Sequence, residues 1–75
     1  MNWIKIERDK DGFATQDALD NLYSQLPVVI AETIDDVVYY DTITTDSYAD
    51  WSGDLSLRTR YSHYLPFNEF KRVEL

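Results

Sequence analysis

The stretch that decides the fold is Val28-Val29-Ile30-Ala31-Glu32-Thr33-Ile34-Asp35-Asp36-Val37-Val38-Tyr39-Tyr40-Asp41-Thr42-Ile43-Thr44-Thr45. Its β-branched content makes Val28 to Thr33 a strand. Val37 to Thr45 is the richest β-forming run in the chain. Asp35-Asp36 turns one into the other, because Asp tolerates turn backbone and bonds its own main chain. Strands joined this closely pair antiparallel.

Upstream, Ala18, Leu19, Leu22, Tyr23 and Leu26 recur at three- and four-residue spacing, with Gln16, Asp20, Asn21, Ser24 and Gln25 on the other side. This pattern predicts an amphipathic helix of about three turns. Thr15 is its N-cap, Asp17 and Asp20 favour its dipole, and Pro27 stops it. Before the helix, Asn2 to Glu7 reads as a strand with Ile4 and Ile6 on one face and Trp3 left to cover an edge or meet a partner. Downstream, Asp46 to Asp54 reads as a polar loop holding Tyr48 and Trp51, with Ser52-Gly53-Asp54 as a turn. Leu55 to Tyr64 alternates, with Leu55, Leu57, Thr59 and Tyr61 opposite Ser56, Arg58, Arg60 and Ser62, and predicts a last strand ended by Pro66. The tail from residue 66 to 75 docks loosely through Phe67, Phe70 and Val73. The expected fold is a single α+β domain over residues 1–75, β-α-β-β-β. It has a small three- to four-stranded, mostly antiparallel sheet with one amphipathic helix on one face, covering Ile4, Ile6 and Leu57. The far face or the edges carry Tyr, Arg and Trp.

Composition narrows the function. With 44% hydrophobic and 15% aromatic residues, the 75-residue chain has the make-up of a folded domain. A domain this small has a thin core and little room for a substrate cleft. There is no Cys, one His and two Gly, so thiol chemistry, His-based metal clusters and glycine-rich phosphate loops are excluded. No cofactor is expected, and no enzymatic activity. Without a membrane-length apolar run or a signal-peptide core, the expected location is the cytoplasm of a host cell.

Charge is the strongest signal: 14 acids against 7 bases, a net of −7. The acids concentrate in residues 9–54, where Lys10 is the only base, and both flanks are slightly basic. Such a chain repels phosphate backbones and anionic membranes, so neither nucleic acid nor a membrane is a direct partner. A basic protein surface is.

Three constellations bear on chemistry. Asp9-x-Asp11-Gly12 echoes a calcium loop, but the position that should supply a bidentate Glu is Ala18, so it reads as a polar turn and no metal site is assigned. His63 reads as a partly buried strand histidine whose neighbour Ser62 points to the opposite face. Asp35, Asp36, Asp41, Asp46, Asp50 and Asp54 put six acids in twenty residues with no base among them. Tyr39, Tyr40, Tyr48 and Trp51 are interleaved, offering large rigid contact area with a polar handle, and Tyr40, Tyr48 and Trp51 are the expected anchors. Acids on alternate strand positions, about 6.7 Å apart, imitate a row of phosphates.

Trp3-Ile4, Leu26-Pro27-Val28-Val29 and His63-Tyr64-Leu65-Pro66 resemble a family of small phage-associated proteins known as DUF551, which opens on Trp-Ile and closes near His-Trp-Met-Pro. The matching pieces are short and together make ten of the 75 residues. The stretch Arg8 to Gln25 is longer than the family's link, and Tyr64-Leu65 replaces Trp-Met. No catalytic residue is carried over. The resemblance implies a phage or prophage accessory protein, and by analogy an inhibitor of host enzymes or of defences such as CRISPR. The expected function is therefore an acidic, anti-CRISPR-like binder that blocks a basic, nucleic-acid-handling host protein, in one version as a DNA mimic. Its site is the six acids with Tyr40, Tyr48 and Trp51. The alternative is a self-associating structural module, a homodimer built through Trp3 and the strand edges.

Overall fold

The computed structural model describes residues 3–57 and 59–69. Its elements are β1 (Ile4–Lys5), α1 (Gln16–Ser24), β2 (Val28–Ile34), β3 (Val37–Ile43), α2 (Tyr48–Leu57) and β4 (Tyr61–Pro66). β2 and β3 form the expected hairpin, in unbroken register from Ile34↔Val37 at the turn to Val28↔Ile43 at the base. Asp35 and Asp36 have φ of 50° and 66°. A two-residue turn with positive φ at both positions matches the twist of the strands, and Asp is among the few non-glycine residues that tolerate it.

The sheet order is β1-β4-β2-β3, and every neighbouring pair is antiparallel. β4 inserts between the first strand and the hairpin, so β1 and β3 are the edges. Between Ala31↔His63 and Glu32↔Tyr61 the register slips by one residue, leaving Ser62 as the extra residue of a bulge. One sheet face carries the core. Ile6, Val28, Ile30, Ile43, Tyr61 and Tyr64 pack there against Ala18 and Leu22 of α1 and Leu55 of α2, with Ile4 partly buried beside them. Val29, Ala31 and Leu65 are buried on the other face.

α1 forms as its pattern requires. Thr15 Oγ1 accepts from the Ala18 N–H at 3.2 Å, Asp17 lies in the first turn, and Leu22 is buried. The chain leaves the helix through a cis Leu26–Pro27 peptide.

The single helix and the last strand are corrected. Tyr48–Leu57, expected as polar loop, turn and strand start, is a second helix, so the order is β-α-β-β-α-β. Leu57 is 63% exposed rather than under α1, and the strand begins only at Tyr61. The alternation of Leu55, Leu57 and Thr59 competes with a helical spacing through Tyr48, Trp51 and Leu55. The helical spacing wins because it puts all three on the core. A reciprocal cap starts this helix: the Thr44 N–H donates to Ser47 Oγ at 2.9 Å, and the Ser47 N–H to Thr44 Oγ1 at 3.2 Å. Gly53, read as a turn residue, sits inside the helix at a cost of about 1 kcal/mol relative to Ala, which core packing offsets. Asn2 as a strand start, Arg58 as a strand residue, and Phe70 and Val73 as docked tail residues lie outside the described residues.

Arg8 ties the pieces together. Its Nη1 donates to the carbonyls of Gly12 (3.0 Å) and Ser56 (3.3 Å), and its Nη2 to those of Leu55 (3.1 Å) and Tyr61 (2.9 Å). Leu55 and Ser56 lie in the last turn of α2, whose carbonyls have no partner within the helix and favour a cation. Burial pushes the Arg8 pKa below its ordinary value, but a guanidinium stays charged at physiological pH.

Two stability measurements check this account. Arg8→Ala should cost about 3 kcal/mol in a denaturant melt, and Arg8→Lys should recover little of it, because an ammonium cannot span the same carbonyls. Gly53→Ala should instead stabilise the fold by about 0.5–1 kcal/mol, raising the melting temperature by several degrees. A Cβ at Gly53 meets nothing within 4 Å.

Candidate functional site: the outer hairpin

The hairpin outgrows the core it helps to build. Val28 to Ala31 are buried, whereas Thr33 and Ile34 are exposed, so β2 leaves the packed region as it nears the turn. β3 is exposed along nearly its whole length. Val37, Val38, Tyr39 and Tyr40 stand 50%, 49%, 52% and 58% open, and Ile34 adds to the same projection. Scattered exposed apolar residues are ordinary, whereas these follow one another along one strand.

The strand's two faces differ. Pairing with Ile34, Glu32 and Ile30 puts Val37, Tyr39 and Asp41 on the helix-bearing side. Val38 and Tyr40 lie on the other. There the Trp3 and Tyr40 rings meet with centroids 5.6 Å apart, arching over a shallow depression of about 320 Å³ lined by Ala31, Thr33, Val38, Ser62 and His63. Trp3 therefore lies on this face of the sheet, beside Tyr40.

The six acids do not form one row. Asp35 and Asp36 cap the hairpin tip, and Asp41 lies within β3. Asp46 follows the strand base, and Asp50 and Asp54 are in α2. The tip and base acids are separated by the length of β3, about 20 Å. The expected ladder on alternate strand positions is thus replaced by a tip pair, a mid-strand acid, and two acids four residues apart on α2. Asp41 Oδ1 accepts from the Thr42 N–H at 2.8 Å. Asp54 acts with Glu32 on Arg60. The Arg60 pKa is raised first by its hydrogen bond to the Tyr61 hydroxyl, then, against some desolvation, by the Tyr61, Glu32 and Asp54 charges. Arg60 also forms an ion pair with Glu32 and lies over the Tyr61 ring.

Two of the three expected anchors belong largely to the fold. Tyr48 and Trp51 pack on the core, Tyr48 edge-on to Tyr23 at 5.0 Å and Trp51 edge-on to Tyr61 at 5.6 Å. Burial, then the charges of Asp20 and Tyr23, raise the Tyr48 pKa. Tyr40 is the anchor that remains open, joined by Val37, Val38, Tyr39 and Trp3. Their signal in the sequence was the strand itself, a β-rich run too long for a core this small to cover.

The other constellations resolve locally. Asp9 Oδ1 accepts from the N–H groups of Asp11 (2.9 Å) and Phe13 (3.0 Å), and Gly12 takes φ of 90°. The segment is a turn held by its own side chain. Ser62 does not point away from His63: its Oγ lies 2.9 Å from His63 Nδ1, because the bulge re-aims it. No carboxylate among the described residues is hydrogen-bonded to that ring. No group of three or more potential metal ligands gathers among the described residues, and no helix there is long and apolar enough to cross a membrane.

The chain matches no protein-family model, no curated protein and no solved structure.

Anchor and core roles separate by mutation. Trp51→Ala should cost about 2–3 kcal/mol of stability, whereas Tyr40→Ala should cost under about 1 kcal/mol in the same melt, since truncation costs scale with the area buried.

Proposed function

We propose that this protein is a non-enzymatic binding protein of phage type, acting in the host cytoplasm, that engages and blocks a basic, nucleic-acid-handling host protein through the outer hairpin. A defence nuclease of the CRISPR kind has the required chemistry. The observation that carries the reading is the exposed run Val37 to Tyr40, set among Asp35, Asp36 and Asp41 with no Lys or Arg between Lys10 and Arg58. Aromatic and aliphatic side chains supply contact area. Acids at the rim steer a cationic partner and set the salt dependence of its capture. The resemblance of the chain's short end motifs to the DUF551 phage family supports the same context. The scattered acids favour a blocker that covers part of a basic surface over a continuous imitation of a nucleic-acid strand.

The same exposed edge supports a second reading, the self-associating module. Sedimentation distinguishes the two: a mass that grows with protein concentration favours self-association, and a constant monomer mass favours the blocker.

The test is capture from host lysate at low salt with release at high salt, run beside the variant Asp35→Asn/Asp36→Asn/Asp41→Asn. A nucleic-acid-binding protein should be retained by the natural chain, and more weakly by the variant, with a flatter salt dependence. Equal retention by the variant at every salt concentration overturns the electrostatic reading.

A further inference from the structure

We infer that β3 takes up an extended segment of its partner as an added strand, and that this segment alternates basic and apolar side chains. The inference rests on the proposed role as a binder of a basic protein and specifies how the binding is made.

β3 is the outer strand of the sheet, paired on one side with β2. Ile34↔Val37 closes the two-residue turn and exchanges hydrogen bonds, so Val37, Tyr39, Asp41 and Ile43 direct their main-chain groups to β2. The intervening residues, beginning with Val38, direct theirs outward. The Thr42 N–H follows this rule and is bound at 2.8 Å by the Asp41 carboxylate, which closes the base end of the edge. Among the described residues no strand pairs with the outer side of the stretch nearer the tip. That stretch has no Lys or Pro, its register with β2 is unbroken, and its side chains are half open.

The two faces set the ligand's alternation. On the helix-bearing face an added strand lies beside Val37, Tyr39 and Asp41, with Asp35 and Asp36 at the turn. A Lys or Arg there has Asp41 and the tip acids Asp35 and Asp36 on its side, lays its stem along Val37 and Tyr39, and meets no competing base of β2 or β3. On the opposite face it lies beside Val38 and Tyr40 at the rim of the depression under Trp3, where an apolar side chain fits. Main-chain bonds hold the strand, and alternate side chains select it. A second copy fits worse. It would bring two sets of these acids, on chains of net charge −7, into one sheet.

The test titrates the full ¹⁵N-labelled chain with an end-capped octapeptide alternating Lys and Val. The control is a peptide with the same lysines and Pro at every Val position. The expected result is slowed exchange of the Val38 amide, with shifts confined to β3 and Trp3, and binding of the Pro peptide weaker by about tenfold or more, since it has lost strand donors. Val38→Pro removes no bond to β2, because that N–H points outward, and should weaken the Lys-Val peptide about tenfold. Asp41→Lys, a second variant with a different effect on the backbone, should weaken it as well. Equal binding of both peptides overturns strand addition while leaving the acidic-surface reading standing. No binding of either peptide at low salt overturns both. Slowed Val38 exchange without peptide, together with a dimer mass that Val38→Pro abolishes, assigns the edge to a second copy and overturns the inference.

Discussion

The Arg8 guanidinium is the contact on which the remaining architecture depends. It gathers carbonyls from the loop before α1, the last turn of α2 and the start of β4, segments nearly fifty residues apart in the chain. The Ser56 carbonyl also accepts from the Ala14 N–H at 3.1 Å, so the loop before α1 is tied to the end of α2 twice. A planar, permanently charged fork is the one side chain able to serve several carbonyls at once. The clamp fixes where α2 ends and where β4 begins. β4 pairs with β1 on one side and with β2 on the other, which leaves β3 outside.

Size explains why the edge stays open. Among the described residues the buried set is a dozen hydrophobic residues, drawn from the base of the hairpin, β4, Ile6 and the two helices. Two short helices leave the outer part of a hairpin of two seven-residue strands open on their own face, at Ile34, Val37 and Tyr39, and Val38 and Tyr40 lie on the face that carries no helix. Keeping such side chains uncovered is unfavourable in water. Acids at the tip and in mid-strand stand beside them, and like charge opposes the association of identical chains. In the proposed role the same carboxylates would select a cationic partner.

Aromatic residues divide by the same geometry. Tyr48 and Trp51, close in sequence to the acids, are held by the core through Tyr23 and Tyr61. Tyr40, one residue from Asp41, is turned to the other sheet face and meets Trp3 from the far edge. A stretch that looks like one binding cluster in the sequence is split between scaffold and surface once strand and helix periods are imposed on it.

The sequence by itself determined the hairpin, its Asp35-Asp36 turn, the Thr15-capped helix, the α+β class and the acidic balance. These follow from signals within a few residues of one another: β-branched runs, a capping hydroxyl, three- and four-residue spacing, and charge. Only the tertiary structure decided that Tyr48 to Leu57 is helical, because a two-residue and a helical period coexist there and burial of Tyr48, Trp51 and Leu55 chooses between them. It also decided the bulge that turns Ser62 toward His63, the separation of the six acids, and the position of β3 at the edge. Each of these depends on which strand lies beside which. That order is set by pairing between residues far apart in the chain, β4 with both β1 and β2, which no local pattern encodes.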